Sequence, residues 1–185
     1  MAHALRRALE RLPVLPDWIT FAGNGEPTMH PRFAAAVDRV LAVRDAVAPA
    51  ARVGVLSNGL AAGSPRVRDA LRRLDARMMK LDPGPVEHVN RTRYNAGALA
   101  DAYRALKPYT VQAMVTQGAG WDGSSDAALA AWLPLLARAE PDAVHLYSLD
   151  RPPADPTLRS VARERLEQMA LAIRETLPRA TVEVF

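Results

Sequence analysis

Six short β-rich runs punctuate the chain, at Trp18 to Ala22, Val53 to Ser57, Met78 to Asp82, Thr110 to Thr116, Ala143 to Leu149 and Thr181 to Phe185. Their starts lie 25 to 38 residues apart, the room that a strand, a crossover helix and two short connections require. Segments of helical period fill the intervals: Phe33, Val37, Val40, Leu41 and Val47; Leu129, Trp132, Leu133 and Leu136; Leu158, Val161, Leu166, Met169, Ile173 and Leu177. Pro31 suits the first turn of the first helix, and Ser125 is placed to cap the second. No solenoid-length repeat, low-complexity tract or linker interrupts the pattern. The expectation is one α/β domain over residues 1–185, built on a parallel sheet.

Strand parity narrows the architecture. A parallel sheet covered on both faces reads as nearly continuous apolar runs, and these runs do not. One parity is apolar: Ile19 and Phe21, Val53 and Val55, Met79 and Leu81, Val111, Ala113 and Val115, Val144 and Leu146. The other holds Thr20, Asn58, Lys80, Asp82, Gln112, Thr116, His145 and Tyr147. One face then packs on helices while the other lines a wet cavity, as in a (β/α) barrel or partial barrel whose site lies at the C-terminal rim. A flat doubly wound sheet is the alternative, and it fits the polar parity less well.

Composition removes several classes. The 185 residues are 49% apolar and 24% charged, enough for a sizeable core and unlike a disordered tail. No apolar run reaches the roughly 18 residues of a membrane span, and Arg6 and Arg7 precede no apolar segment of a signal peptide. A soluble, cytoplasmic protein with no membrane partner is expected. With no cysteine in the chain, disulfides, thiolate zinc sites, cysteine nucleophiles and self-supplied thiolate ligation of an iron-sulfur cluster are excluded. Net charge is +4, and 22 of the 24 basic residues are Arg. Arg66, Arg68, Arg72, Arg73 and Arg77 crowd one short helix, read here as a solvated face before an RNA-binding one.

The first run opens into Gly23-Asn24-Gly25-Glu26-Pro27-Thr28, followed by His30-Pro31. Glycines at a strand's C-terminal end let the backbone turn sharply and approach a ligand. A carboxylate beside exposed carbonyls suits a ligand ammonium, whereas a phosphate loop wants a lysine and no acid. The spacing also departs from the G-x-x-x-x-G-K-[ST] and G-x-G-x-x-G patterns. The plainer reading is a tight turn with Glu26 favouring a helix dipole.

Ile19-Thr-Phe-Ala-Gly-Asn-Gly-Glu-Pro-Thr28 with His30-Pro31 resembles the GGE-type motif on the second strand of radical S-adenosylmethionine (SAM) enzymes. Leu56-Ser57-Asn58-Gly59 resembles the family's T-N-G turn, Met79-Lys80-Leu81-Asp82 its fourth strand, and Val89-Asn90-Arg91 follows. Val111-Gln112-Ala113-Met114-Val115 resembles the fifth strand, and His145-Leu146-Tyr147-Ser148-Leu149-Asp150-Arg151-Pro152-Pro153 the sixth with its exit loop. The set, from about Pro13 onward, is most similar to the iron-sulfur oxidoreductase branch related to wyosine-base synthesis on tRNA. The resemblance implies SAM as cofactor, with Gly23, Asn24, Gly25 and Glu26 holding its methionine amino end. It also implies that Asn58, Lys80 and Gln112 line the cavity around SAM, with Tyr147 near the adenine. Lys80 beside Asp82 reads equally as a neutralised structural pair.

The chain departs from the family in one respect. The family's C-x-x-x-C-x-x-C loop after its first strand, which holds a 4Fe-4S cluster, has no counterpart here. The chain begins within what resembles the following helix, with Ala4 to Leu12 as its remnant. An incomplete TIM-like (β/α)6 partial barrel lacking the first strand is expected, a radical SAM enzyme core in truncated form that is inactive alone. The alternative is a catalytically silent α/β module with a basic RNA-binding surface. Loss of the first strand would leave Trp18 to Ala22 as an apolar edge open to self-association. No catalytic residue is assigned. His30, His88 and His145 with Glu87 lack metal-binding spacing, although a barrel enzyme pairing Glu26 with His145 is a third, minor reading. No G-x-S-x-G elbow frames Ser57, Ser124 or Ser148.

Overall fold

The computed structural model describes residues 2–23, 25–84 and 94–185. Asn24, His88, Glu87 and the Val89-Asn90-Arg91 motif lie outside the described residues. The chain divides into two compact units, Met1–Met78 and Met79–Phe185.

The first unit begins with α1 (Ala2–Glu10), followed by β1 (Trp18–Phe21), a 3-10 turn (Pro27–Met29), α2 (Phe33–Val47), β2 (Arg52–Ser57) and α3 (Pro65–Arg72). Helix α1 is amphipathic, and its Leu9 is buried with Val43, Ala48 and Ala51, while Leu5, Val47 and Ile19 pack alongside. Strands β1 and β2 run parallel, with Trp18 opposite Arg52 and Phe21 opposite Val55. Val53 and Val55 are wholly buried, each worth roughly 1.5–3 kcal/mol of transfer free energy. Asp75 closes the far end of β2: its Oδ2 accepts from Val53 N at 2.7 Å and from Arg44 Nη1 of α2 at 3.2 Å.

Strand β3 (Ala76–Lys80) leads into the second unit. There α4 (Ala96–Arg104), β4 (Thr110–Met114), α5 (Asp126–Ala139), β7 (Ala143–Tyr147), α6 (Arg163–Thr176) and β9 (Thr181–Val184) alternate. Their strands pair in parallel, β4 with β7 and β7 with β9. Ser125 caps α5, its Oγ accepting from Ala128 N at 3.2 Å. Trp132 and Leu136 of α5, and Leu166, Met169 and Ile173 of α6, form the buried helix faces. Between β4 and α5, β5 (Thr116–Gly118) and β6 (Trp121–Asp122) make a hairpin that β8 (Arg159–Ser160) joins as a small antiparallel sheet.

The main sheet is six-stranded and parallel, in the order β1-β2-β3-β4-β7-β9. Parallel connections between neighbours are right-handed, so a sheet whose order never reverses places its crossovers on one face. Burial agrees, since β3, β4 and β7 alternate between half-exposed and buried residues along their length. This is the one-sided partial-barrel arrangement expected from parity, not the doubly wound alternative.

Several local expectations shift. Helix α2 starts at Phe33 after an Arg32 N-cap, so Pro31 precedes the helix. Leu158 and Val161 lie ahead of α6. Parity fails at Asp82 and Thr116, which are buried rather than cavity-lining. Both stand beyond the last residue of a main-sheet strand, where the two-residue alternation no longer applies.

Candidate functional site

In the first unit, the residues singled out by the glycine-rich motif gather at the C-terminal ends of β1 and β2. The chain leaves β1 at Phe21, passes the glycines, and enters the 3-10 turn with Glu26 as its N-cap. Pro27 at the first position of that turn fixes φ where no N–H is needed. The Glu26 Oε1 accepts from Thr28 N at 3.0 Å, from Thr28 Oγ1 at 2.5 Å and from Ser57 Oγ at 2.7 Å. Its Oε2 accepts from Asn58 N at 2.7 Å. One carboxylate therefore ties the exit of β1 to the exit of β2.

The receiving turn is built for this. Ser57 is the last residue of β2, and its Oγ also accepts from Gly59 N at 3.0 Å. Asn58 Oδ1 accepts from Leu60 N at 3.1 Å. Gly59 has φ +72°, a left-handed conformation that favours glycine. Glu26 and Asn58 are thus brought together, although the Asn58 side chain serves its own turn.

Gly23 and Gly25 have a different rationale. Neither has the positive φ found at Gly59, and a Cβ built on either meets nothing within 4 Å. Neither backbone geometry nor internal packing requires glycine at these two positions. Beside the loop lies a cavity of about 480 Å³, walled by Phe21, Phe33 and Pro27 and rimmed by Arg32 and Arg39. Phe21 and Phe33 meet edge to face, with centroids 5.7 Å apart.

In the second unit the polar-parity residues occupy the half-exposed face. Gln112, His145 and Glu183 stand opposite one another on β4, β7 and β9. His145 Nε2 lies 3.9 Å from Glu183 Oε2, and its ring meets Phe185 edge on at 5.0 Å. Lys80 Nζ forms an ion pair with Asp82 Oδ2 at 3.0 Å, and Asp82 Oδ1 accepts from Met114 N at 2.8 Å. Burial pushes the Tyr147 hydroxyl above its ordinary pKa; Lys80 opposes that shift and Asp82 adds to it. Burial, with Asp82 adding, pushes Tyr94 up to about 12.

Glu183 and Tyr94 are the residues that sequence reasoning passed over. The parity of β9 carries the signal for Glu183, which shares a face with His145 through the register. Tyr94 adjoins α4 without a strand or motif to announce it.

The donor set was tested against both implied groups. The open glycines and carbonyl-bearing loop fit SAM. A 4Fe-4S cluster does not fit this chain's side chains: there is no cysteine, and no group of three His, Cys, Asp or Glu could hold a metal among the described residues. On α3 and beyond, Arg72 pairs with Asp69 and Arg73 with Asp38, while Arg77 is buried and donates to Arg72 O. Among the described residues, no helix is long and apolar enough to cross a membrane.

No protein-family model and no curated protein matches the chain. Solved structures do. A domain of pyruvate-formate lyase-activating enzyme from Bacteroides vulgatus ATCC 8482 matches at 15% identity with TM-score 0.65, over 90% of this chain and 98% of that one. Streptococcus suis SuiB bound to S-adenosylmethionine matches at 11% identity and TM-score 0.63, over 100% of this chain and 42% of that one. TYW1 with a lysine-pyruvate adduct bound matches at 14% identity and TM-score 0.61, over 86% of this chain and 50% of that one. The chain therefore spans nearly all of the first and half or less of the others. These neighbours are radical SAM enzymes, and the chain has their fold.

Proposed function

We propose that this chain is a radical-SAM-like core that binds SAM through the loop Gly23, Asn24, Gly25 and Glu26, and that it does not cleave SAM by itself. The observation that carries the reading is the pair of open glycines beside a loop fixed by the Glu26 carboxylate. Backbone carbonyls there accept the methionine ammonium, and the absent Cβ atoms let the ligand approach. Asn58 is included as the turn that anchors the loop. The family resemblance separately nominates Lys80, Gln112 and Tyr147, on the half-exposed strand face of the second unit.

In complete family members, a cluster supplies the electron for SAM cleavage. This chain contributes no thiolate to one, so oxidoreductase chemistry needs ligands from elsewhere. Calorimetric titration with SAM and S-adenosylhomocysteine tests the binding reading. Saturable binding by the wild type, weakened at least tenfold in Gly25→Ala, supports it. No binding by the wild type refutes it. Iron analysis and a 5′-deoxyadenosine assay after anaerobic reconstitution test inactivity, and product formation would refute that part. RNA binding through Arg66 and Arg68 is the lesser proposal, as is self-association along β1.

A further inference from the structure

The Glu26 carboxylate is fixed by four donors of the protein. Three donors, Thr28 N, Thr28 Oγ1 and Ser57 Oγ, converge on Oε1, and Asn58 N donates to Oε2. Three of the four donors sit in two buried residues, Thr28 at 2% and Ser57 at 6% exposure. Displacing a donor of Thr28 or Ser57 from Oε1 would strand a polar group away from water. Gly23 and Gly25 are instead exposed, and among the described residues no backbone N–H donates to either carbonyl.

Ser57 is the hinge of this arrangement. A serine hydroxyl has one proton, and here it goes to Glu26 Oε1 at 2.7 Å. The same oxygen accepts from Gly59 N at 3.0 Å. Ser57 therefore reads the position of the β2 turn and passes it to the carboxylate that shapes the β1 loop. The Thr28 hydroxyl, 3.3 Å from Ser57 Oγ, spends its proton on the same carboxylate oxygen, so the two hydroxyls converge on Oε1 rather than on each other.

Building on the SAM reading, we propose that Ser57 is a positioning residue for the methionine ammonium: it locks the Glu26 carboxylate, and the locked carboxylate holds the Gly23 and Gly25 carbonyls toward the ligand. Glu26 then contributes to affinity through the backbone it holds. The dependence on Ser57 is confined to ligands that carry the amino acid moiety. A ligand with the adenosine but no ammonium is indifferent to it.

The test titrates wild type, Ser57→Ala and Ser57→Thr with SAM, S-adenosylhomocysteine and 5′-methylthioadenosine, which lacks the ammonium. Ser57→Ala is expected to lose about tenfold in affinity for the first two, the equivalent of one charge-assisted hydrogen bond, with 5′-methylthioadenosine unchanged. Ser57→Thr retains the hydroxyl and is expected to restore binding. Should Ser57→Ala fail to fold, the Thr28→Val variant, which removes another Oε1 donor, is expected to show the same ligand selectivity. Equal losses for all three ligands, or unchanged SAM affinity in Ser57→Ala, would overturn the positioning role while leaving the SAM site standing. Failure of the wild type to bind SAM would overturn the site and the positioning role together.

Discussion

The Lys80 ammonium stands 3.0 Å from the Asp82 carboxylate, whose side chain is completely buried while 26% of the lysine side chain remains exposed. The two partners are therefore unequal. Removing the aspartate leaves a cation that water can reach, but removing the lysine leaves a buried anion without its ion-pair partner. Lys80→Met is expected to cost about 3–5 kcal/mol and Asp82→Asn only about 1–3 kcal/mol. Urea unfolding of both variants checks the order, and equal losses would show that Lys80 does not neutralise Asp82.

Asp82 also bears on the tyrosines. Burial is the larger cause that pushes Tyr94 up to about 12, and Asp82 is the second. A tyrosine whose folded pKa lies above its ordinary value near 10 adds stability that is fully present below about pH 10. That contribution is lost as pH rises towards 12. Spectrophotometric titration should find a tyrosine ionising at about 12 that is lost in Tyr94→Phe, while the other late-ionising tyrosines remain. Asp82→Asn should lower its midpoint only in part, because burial remains.

Gly23→Ala and Gly25→Ala separate folding from binding. With open space at both positions, each variant should melt no lower than the wild type, and fewer unfolded conformations should raise stability by up to about 1 kcal/mol. SAM affinity should nevertheless fall. Thermal melts paired with calorimetry check this, and a large loss of stability would mean that the glycines serve the fold.

The parallel sheet and its one-sided polarity were legible because period-two alternation survives within strands. Lys80, Gln112, His145 and Tyr147 all fall on the half-exposed face as their parity requires. Legibility ends where strands end. Asp82 and Thr116 follow the last residues of β3 and β4 and turn inward, and the β5, β6 and β8 sheet is too short to leave a pattern. The Gly23 to Glu26 loop was visible as a motif. The partners of Glu26 were not, because Thr28, Ser57 and Asn58 join it through hydrogen bonds that span up to 32 residues.

Strand β1 ends the main sheet, and Trp18 on it is 39% exposed beneath the Arg52 guanidinium, 4.3 Å from the ring centroid. An edge without an inward charge or proline invites pairing. The chain should show concentration-dependent mass in light scattering, and a charge at the exposed Thr20 of the same strand, Thr20→Lys, should reduce it. A wild-type monomer at every concentration would contradict this.

The arginines of α3 should behave as a solvated face. Arg72 and Arg73 already meet Asp69 and Asp38, so neutralising Arg68, Arg72 and Arg73 together should leave the salt dependence of RNA binding unchanged. A filter-binding slope that falls by about one per removed phosphate contact would establish an RNA surface instead.

The central claim is that SAM meets the backbone of the loop after β1. Amide chemical shifts followed by NMR during SAM titration test it most directly. Saturable shifts concentrated at Gly23, Gly25, Glu26, Asn58 and Gly59 are predicted, with the Gly25 amide among the most affected. Shifts absent from this loop at saturating SAM, or confined to other parts of the chain, would contradict the account.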